Sequence, residues 1–538
     1  MVVFDIGTVD EMLQSTLISA FPIVLLIWMM TKQRALPSHI ALPITALLVG
    51  LIQLFYFHSD GRLLSANIIS GVLSVLTPIS IVAGAILLNR VLAISGAEAV
   101  IGRWLDSISN NKVAQLMIIG WAFAFMLEGA SGFGTPAAIA APMLVGLGFQ
   151  PIKVAIFALI MNSVPVSFGA VGTPIWFGFE ALELSSSDLL EVANQTALIN
   201  AVAALLIPIL ALKFVVSWSL IRQNLVFILL SILSCTLPYY ALANWNYEFP
   251  SLLGGAVGLM VSIFLAKANI GLGTTQNTLN KQSKVPSREV FFALLPLGLL
   301  IVILIVTRIS PLGIKGLLTN TNAWFGIDIG GSHLGVSQSL VVSLDNILST
   351  SVSWSYKTLY VPALIPFVLV VLISMPLLKL SKTQIKEAFF ETGQRIQLPL
   401  VSLAAALVMV NLMMLGAEQS PIFLIANALA TLTGDSWSLF AALLGALGSF
   451  FSGSATVSNL TFGGIQQTIA MQVGLPVNLI LALQSVGAAM GNMVCINNII
   501  AVSAILGIHH QEGFILKKTI LPLLVYGVVA ALMAIVLS

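Results

Sequence analysis

Apolar segments of about twenty residues follow one another along almost the whole chain, and only short polar stretches separate them. A helix needs about 20 apolar residues to cross the hydrocarbon core of a bilayer. Twelve such helices are predicted, near residues 15–31, 39–57, 66–89, 152–180, 190–216, 224–242, 248–266, 289–307, 360–378, 396–417, 477–507 and 519–537. Only 8% of the 538 residues are charged, against about 25% in soluble proteins. We therefore expect an all-α polytopic membrane protein embedded in lipid.

Two further apolar segments, residues 112–147 and 437–472, are interrupted at their centres. The first contains LEGASGFGTPAAIAAP from Leu127 to Pro142, and the second contains FFSGSATVSNLTFGG from Phe450 to Gly464. Each segment is predicted to form a re-entrant hairpin of two helices. Exposed backbone is tolerated at membrane depth only where protein buries it or where it lines a wet cavity, so both hairpin tips are candidates for a binding site.

The first tip is rich in glycine, and it ends at a proline. We expect the helix to lose its hydrogen bonds between Gly129 and Gly134 and to restart at Pro136, because proline suits a first helical turn and breaks a later one.

Each hairpin is followed by a span with an interruption of its own. The span at 152–180 contains MNSVPVSFGAVGTP from Met161 to Pro174, and the span at 477–507 contains QSVGAAMGNMVCINN from Gln484 to Asn498. Broken helices present helix ends and free carbonyl groups to substrate or ions near the midplane. A kink that serves packing alone is the alternative.

Loop charges predict the orientation of the chain, since Lys and Arg accumulate on the cytoplasmic side. An extracytoplasmic N-terminus places 18 of the 22 basic residues inside. The four left outside are Arg62, Arg308, Lys315 and Lys357. Both termini are therefore expected to be extracytoplasmic.

A shift of 325 residues superimposes the two halves from Pro37 onward, and it places Ala130 on Ala455 and Pro151 on Pro476. Seven spans precede the helix at 289–307, which corresponds to the first helix. An odd number of spans inverts the second copy, an arrangement common in secondary transporters.

This repeat predicts three parts of the chain. Residues 1–218 form the first copy, residues 219–288 form two linker helices and a cytoplasmic connector, and residues 289–538 form the second copy. An insert at 309–356, rich in Ser, Thr, Gly and Asn, is expected to be an extracytoplasmic loop with some strand character.

Hydroxyl and amide residues crowd the four interruptions. Freed N–H groups at helix N-termini favour anions, so two opposed tips could enclose a small carboxylate. The candidate substrate-binding residues are Ser131, Gly132, Gly134, Thr135, Asn162, Ser163, Thr173, Ser454, Thr456, Ser458, Asn459, Gln484, Asn497 and Asn498. Close packing of helices through small residues is the alternative.

Glu128 is the one acidic residue placed within a hairpin arm near its tip. An ionised carboxylate is costly in such surroundings, so Glu128 is a candidate carrier for a coupled proton. A structural acid bonded to neighbouring amides is the alternative.

Several classes of site are not expected. No basic residue lies at the predicted midplane, which suits a substrate with a single negative charge. There is no phosphate-binding GxxxxGK[ST] loop, and the net charge of +2 does not indicate a nucleic-acid partner. Two cysteines in apolar segments offer neither a disulfide framework nor a metal site, so no metal or cofactor is predicted.

These motifs, together with MNSVPVSFGAVGTP and the INN of the second broken helix, resemble the L-lactate permease family over essentially the whole chain. The resemblance implies proton-coupled uptake of L-lactate, and often D-lactate or glycolate, through the bacterial cytoplasmic membrane. It also implies kinship with a superfamily of ion transporters in which hairpins and broken helices form a mobile, elevator-like unit against a scaffold.

Sodium-coupled dicarboxylate transporters of that superfamily carry Ser-Asn-Thr at both tips. Here Leu460 follows Ser458 and Asn459, and the first tip has only Ser131 and Thr135. This departure favours protons over sodium.

The leading hypothesis is a symporter that imports a small 2-hydroxymonocarboxylate with a proton. Transport driven by Na⁺, or carboxylate exchange, is the alternative within the same architecture. An intramembrane enzyme would need a second acid, His or Cys beside Glu128, and none is evident. A passive channel would not support uphill uptake.

Overall fold

The computed structural model describes residues 6–31, 36–132, 135–273, 285–308, 312–508 and 511–538. Ten of the described helices are long and apolar enough to cross a membrane, or twelve if each of two bent pairs is one span. The expected all-α polytopic membrane protein is confirmed at this level. Lys112–Ser131, predicted as a hairpin arm, is itself long enough to cross, whereas the span predicted at 360–378 is a shorter helix at Ala363–Leu377.

The first half of the chain contains thirteen described α-helices. They are α1 (Ile6–Thr31), α2 (Ser38–Phe55), α3 (Gly61–Ser74), α4 (Leu76–Ile94), α5 (Ala97–Asp106), α6 (Lys112–Met117), α7 (Ala124–Ser131), α8 (Thr135–Gly146), α9 (Pro151–Met161), α10 (Gly169–Trp176), α11 (Ser186–Ala203), α12 (Ile207–Val215) and α13 (Trp218–Gln223). A π-helical segment, Ile118–Phe123, joins α6 to α7, and the whole of this segment is buried.

Twelve described α-helices follow. They are α14 (Leu225–Ala243), α15 (Pro250–Lys267), α16 (Ser287–Arg308), α17 (Ile314–Leu318), α18 (Leu369–Leu377), α19 (Lys382–Met414), α20 (Pro421–Thr433), α21 (Trp437–Ser452), α22 (Ala455–Val473), α23 (Val477–Gly491), α24 (Ile496–Ile505) and α25 (Glu512–Leu537). The sequence prediction did not include α20. Helix α19 is longer than predicted because a capping box at Ser381 starts it early and Pro399 does not end it.

Four antiparallel strands form in the predicted insert, in the order β1 (Ala323–Ile329), β2 (Ser332–Ser337), β3 (Val341–Asp345) and β4 (Trp354–Lys357). Trp354 and Ile347 pack with Ala66 of α3 in a small apolar core of their own. This contact holds the sheet against the helical body.

The first interruption is shorter than predicted. Helix α7 continues through Gly129 to Ser131, and Gly132, with φ 58° and ψ −153°, ends it. A Cβ at position 129 would lie 2.1 Å from the backbone nitrogen of Leu252 in α15. Gly129 therefore allows two helices to cross closely and does not break its own helix. Helix α8 begins at Thr135, one residue before the predicted restart.

The second interruption is a sharp turn between α21 and α22. Gly453 has a left-handed φ of 72°, and Ser454 caps α22 by accepting a hydrogen bond from the Val457 N–H at 3.3 Å. A Cβ at Gly487 of α23 would lie 2.0 Å from the Ala442 carbonyl oxygen. The hairpin arm α21 and the broken helix therefore pack with their backbones in contact.

Both predicted broken helices are broken in the structure. Helix α9 and the segment Pro165–Trp176 meet at 57°. Ala170 and Val171 have positive φ values of 45° and 58°, which cost energy for residues other than glycine. In the second broken helix, a 3₁₀ turn at Asn492–Val494 separates α23 from α24.

Candidate functional site

The two hairpin tips meet around a small cavity. The first tip contributes Glu128 and Gly132, and the second contributes Gly453, Ser454 and Thr456. The remaining lining residues are Val166, Gly169, Ala170, Pro174, Ala455 and Asn492. Its volume of about 20 Å³ has room for about one water molecule. Glu128 is the one carboxylate among the described residues that line it.

A much larger cavity of about 470 Å³ adjoins this space. Asn492 lines both cavities, so the two are neighbours. The large cavity is also lined by three predicted site residues, Ser131, Asn162 and Asn498. Its charged lining residues are Arg90, Glu98 and Arg395. The site between the tips therefore lies next to a space of the size that small ligands occupy in proteins.

Glu128 is held by the first broken helix. Its Oε2 accepts a hydrogen bond from Asn162 Nδ2 at 3.1 Å, and both residues are buried. A Cβ at Gly169 would lie 2.4 Å from Glu128 Oε1, so the missing side chain makes room for the carboxylate. Asn162 Oδ1 is buried without a hydrogen-bond partner among the described residues. An unpaired acceptor beside a carboxyl group is suited to receive a proton donor.

The other described residues of the first tip line different cavities, Ser131 the large one and Gly132 the small one. Ser131 is buried and donates to the Leu127 carbonyl oxygen at 2.9 Å. Gly132 lies against Ala170, since a Cβ added at Gly132 would lie 3.0 Å from the Ala170 Cβ. Gly134 and the side chain of Thr135 lie outside the described part of the chain.

Two predicted site residues of the first broken helix have local structural bonds. Ser163 Oγ donates to the Ile160 carbonyl oxygen at 2.7 Å, and Thr173 Oγ1 donates to the Ala170 carbonyl oxygen at 2.5 Å. Both are fully buried, and neither belongs to the lining of either cavity. The Ile160 carbonyl oxygen also accepts from the backbone N–H of Ser163 at 3.2 Å. Both hydroxyl groups are therefore engaged in bonds within their own segment.

Three predicted residues of the second half belong to a buried network behind the tip. Gln484 Nε2 donates to the carbonyl oxygen of Ser458 at 3.2 Å and to its Oγ at 3.1 Å. Asn459 Nδ2 donates to the Pro174 carbonyl oxygen at 2.9 Å, and Gln466 Nε2 donates to Gln484 Oε1 at 2.9 Å. The network fixes the second hairpin and joins it to the first broken helix.

The remaining predicted residues lie at the start of α24. Asn498 donates from Nδ2 to the Asn492 carbonyl oxygen at 3.2 Å and also to Asn492 Oδ1. Asn497 is exposed, and a Cβ added at Gly453 would lie 3.7 Å from the Asn497 Cβ. The tip of the second hairpin and the N-terminus of α24 are therefore adjacent.

The structure adds lining residues that were not among the predicted site residues. Asn492 is the most informative, because it joins the two cavities and accepts from Asn498. Its place in the interrupted sequence QSVGAAMGNMVCINN was the available signal. Gly169 and Gly453 have no side-chain chemistry, so no sequence pattern distinguishes them from packing glycines.

A third cavity, of about 220 Å³, includes β4 and the chain after it. In its wall, Arg308 Nε donates to Glu248 Oε2 at 2.8 Å, and Tyr360 Oη donates to Glu248 Oε1 at 3.0 Å. Arg308 Nη2 also donates to the Tyr360 carbonyl oxygen at 2.5 Å. Burial and the Glu248 carboxylate raise the pKa of Tyr360, so the phenol stays protonated and remains a donor. We call this space the outer cavity.

Carboxyl groups outside the candidate spans line the cavity of about 470 Å³ and the outer cavity. Burial raises the pKa of Glu98, and Arg90 partly opposes this shift. In the outer cavity, Glu180 is exposed to a space that is also lined by Leu189, Val361 and Pro362. Burial there raises the pKa of Glu180 to about 7, with Lys357 acting in the opposite direction.

Comparison with known proteins gives the family. The sequence profile described as L-lactate permease matches residues 15–538. A Haemophilus influenzae protein named "Putative L-lactate permease" is 55% identical over 524 residues, 97% of this chain and 98% of that protein. The L-lactate permease of Escherichia coli K12 is 26% identical over 545 residues, 97% of this chain and 96% of the relative. The Glycolate permease GlcA of the same organism is 25% identical over 550 residues, with the same shares of the two chains. Since the profile covers nearly all of it, the chain belongs to the L-lactate permease family.

Proposed function

We propose that this protein is a secondary transporter that takes up L-lactate and related small 2-hydroxymonocarboxylates, such as D-lactate and glycolate, together with a proton. The names of its relatives support the substrate class, since they are called lactate and glycolate permeases. The described apolar helices support a multi-pass membrane protein. In this proposal the protein is no enzyme, and it lies in a bacterial cytoplasmic membrane with both termini outside.

The observation that carries the mechanism is the position of Glu128 between two hairpin tips. A carboxylate buried beside a single amide donor, Asn162, gains little of the stabilisation that water would give it. It is therefore expected to exchange a proton as its surroundings change. Because Glu128 lines the space where the tips meet, its ionised carboxylate would repel an anion bound there. Protonation would remove the repulsion between the two and so couple proton to substrate.

The carboxylate of the substrate would bind where the small and large cavities adjoin. The first turn of a helix leaves N–H groups unbonded and carries a partial positive charge, and α22 begins at this cavity with Ala455 and Thr456. Asn492 and Asn498 supply amide groups beside the same space. These N–H and amide groups suit one negative charge, and the described residues that line the small cavity include no cation. The 2-hydroxyl group of the substrate would form a hydrogen bond with Ser131 or Asn162, which line the large cavity.

We propose an inverted repeat as the basis of alternating access. A shift of 325 residues relates α2 at Ser38 to the helical segment that begins at Ala363, and it brings the start of α11 at Ser186 to within one residue of the start of α25 at Glu512. In this repeat α16 is the counterpart of α1, and α20 is the counterpart of α5. The contacts between the copies match this relation, since α1 packs on α20 and α16 packs on α5. The two hairpins and two broken helices would move together, elevator-like, against the other helices.

Replacement of Glu128 by glutamine tests the proton-coupling role. Proteoliposomes are given an inward pH gradient, and uphill accumulation of labelled L-lactate is measured beside lactate–lactate exchange. Glu128→Gln should abolish accumulation and leave part of the exchange activity, because the amide cannot carry the proton. Glu289→Gln, an exposed acid in the first turn of α16, is the matched control and should behave like the wild type.

Accumulation by Glu128→Gln at the wild-type level would exclude this residue as the carrier. Replacement of Na⁺ by choline at fixed pH distinguishes the alternative, since a sodium-driven transporter would then lose uphill uptake and a proton-driven one would not. Saturable uphill uptake would exclude a passive channel.

A further inference from the structure

The outer cavity lies where several parts of the chain meet. Trp176 of α10, Glu248 before α15, Arg308 at the end of α16 and Lys357 at the end of β4 all line it. The small cavity between the hairpin tips includes Pro174, only two residues before Trp176 in α10. Residues two apart in a helix do not share a face, so the outer cavity borders α10 on a different face from the candidate substrate site.

Lys357 differs from the other cation in this cavity. Arg308 is buried, with only 3% of its surface exposed, and its charge is compensated by Glu248 at 2.8 Å. Lys357 is exposed and forms no ion pair within 4.0 Å in the described part of the chain. Its positive charge is thus available to a ligand.

The protonation state of Glu180 determines the net charge of the outer cavity. The other titratable groups in the wall are Tyr247, Glu248, Arg308, Lys357 and Tyr360. Arg308 and Glu248 cancel, and both tyrosines are neutral because burial raises their pKa. With Glu180 protonated the cavity carries the single positive charge of Lys357, and with Glu180 ionised it carries none.

We propose that the outer cavity is an entry subsite for the substrate, in which Lys357 receives the carboxylate of a small monocarboxylate before it reaches the site between the hairpin tips. This inference rests on the proposed function for the identity of the ligand. A volume of about 220 Å³ accommodates a molecule of six heavy atoms. The insert then has a function of its own, because β4 holds Lys357 over the cavity while Trp354 anchors the sheet on α3.

A cysteine reporter tests the subsite without relying on transport. Ser355 is exposed and lines the outer cavity, whereas the native Cys235 and Cys495 are buried. In the Ser355→Cys protein, the reaction rates of an anionic and a cationic methanethiosulfonate reagent are measured, and their ratio is compared with the ratio for a model thiol in solution. The ratio should favour the anionic reagent about two- to fivefold more in the protein, as suits one partly exposed positive charge. L-lactate should slow the reaction.

Adding Lys357→Gln to the reporter should remove both the preference for the anionic reagent and the protection by L-lactate, and Lys357→Arg should retain them. Arg62→Gln is the matched control, since Arg62 is an exposed basic residue on the same predicted side and does not line this cavity. Absence of protection by L-lactate, or unchanged protection in Lys357→Gln, would overturn the subsite. Protection in a protein that fails to transport lactate would instead overturn the proposed function and leave the subsite standing.

Uptake kinetics in intact cells provide a second test. Lys357→Gln should raise the KM for external L-lactate about two- to fivefold and leave the maximal rate unchanged, because the residue acts before the transport step. At pH 8, where Glu180 is mostly ionised, Glu180→Gln should lower the KM relative to the wild type, and at pH 6 the two should agree. A KM unaffected by Lys357→Gln at wild-type expression would contradict the proposal.

Discussion

Replacement of Gly169 by alanine is a selective test of the position of Glu128. Gly169 has φ −63° and ψ 158°, a conformation that any L-residue adopts. The new Cβ would lie 2.4 Å from Glu128 Oε1, well inside the contact distance of carbon and oxygen. Since a carboxylate at the end of a flexible side chain can rotate away, the fold should survive and the carboxylate should move.

The magnitude follows from the hydrogen bond that this movement breaks. Glu128 Oε2 accepts from Asn162 Nδ2 at 3.1 Å, and a hydrogen bond to a charged group is worth about 1.5–3 kcal/mol. If uptake depends on this geometry, the loss corresponds to about a 10- to 150-fold fall in the rate at low substrate concentration. The thermal stability of the purified protein should fall much less.

Proton-driven uptake of labelled L-lactate into proteoliposomes measures the first quantity, and thermal unfolding in detergent measures the second. Gly298→Ala is the matched control, because Gly298 lies within the span α16 and an added Cβ there has no neighbour within 4 Å. It should leave both quantities unchanged. Uptake by Gly169→Ala at the wild-type rate would refute the assignment of Glu128 to a geometrically constrained site.

Three other substitutions test the surrounding structure. Arg308→Met should destabilise the protein by about 3–5 kcal/mol, because it leaves the Glu248 carboxylate buried without its partner; thermal unfolding measures this, and an unchanged midpoint would show that the ion pair contributes no stability. Asn459→Leu should cost about 1–3 kcal/mol, since the Pro174 carbonyl oxygen loses its buried donor, and uptake should fall with it; normal uptake would separate this bond from transport. Gly487→Val should lower the yield of folded protein through overpacking against a backbone carbonyl group, as measured by size-exclusion chromatography after extraction, and a normal yield would mean that the two helices can separate.

Glycine shows where reasoning from sequence reaches its limit. Gly129 and Gly132 belong to the same motif, and both were expected in the interruption. Only Gly132 ends the helix, whereas Gly129 lies against the backbone of α15. The distinction depends on a helix more than one hundred residues away, so local propensity cannot supply it.

The polar residues divide in the same way. Ser163, Thr173 and Ser458 have the composition of a binding site, yet their hydroxyl groups bond to nearby carbonyl oxygens. Asn492, which the site prediction omitted, lines both cavities. A helix interruption releases carbonyl groups and attracts donors whether or not a ligand binds there, and composition does not separate the two uses.

The sequence by itself determined the membrane-embedded helical class, the approximate positions of the spans and the places where helices break. These features depend on the transfer of apolar side chains from water and on the local geometry of glycine and proline, both of which can be evaluated residue by residue. Only the tertiary structure decided that the two tips meet at Glu128, which hydroxyl groups line a cavity, and that Lys357 lies in the wall of the outer cavity. Those facts depend on contacts between segments distant in the chain, and such contacts are set by the packing of the whole protein.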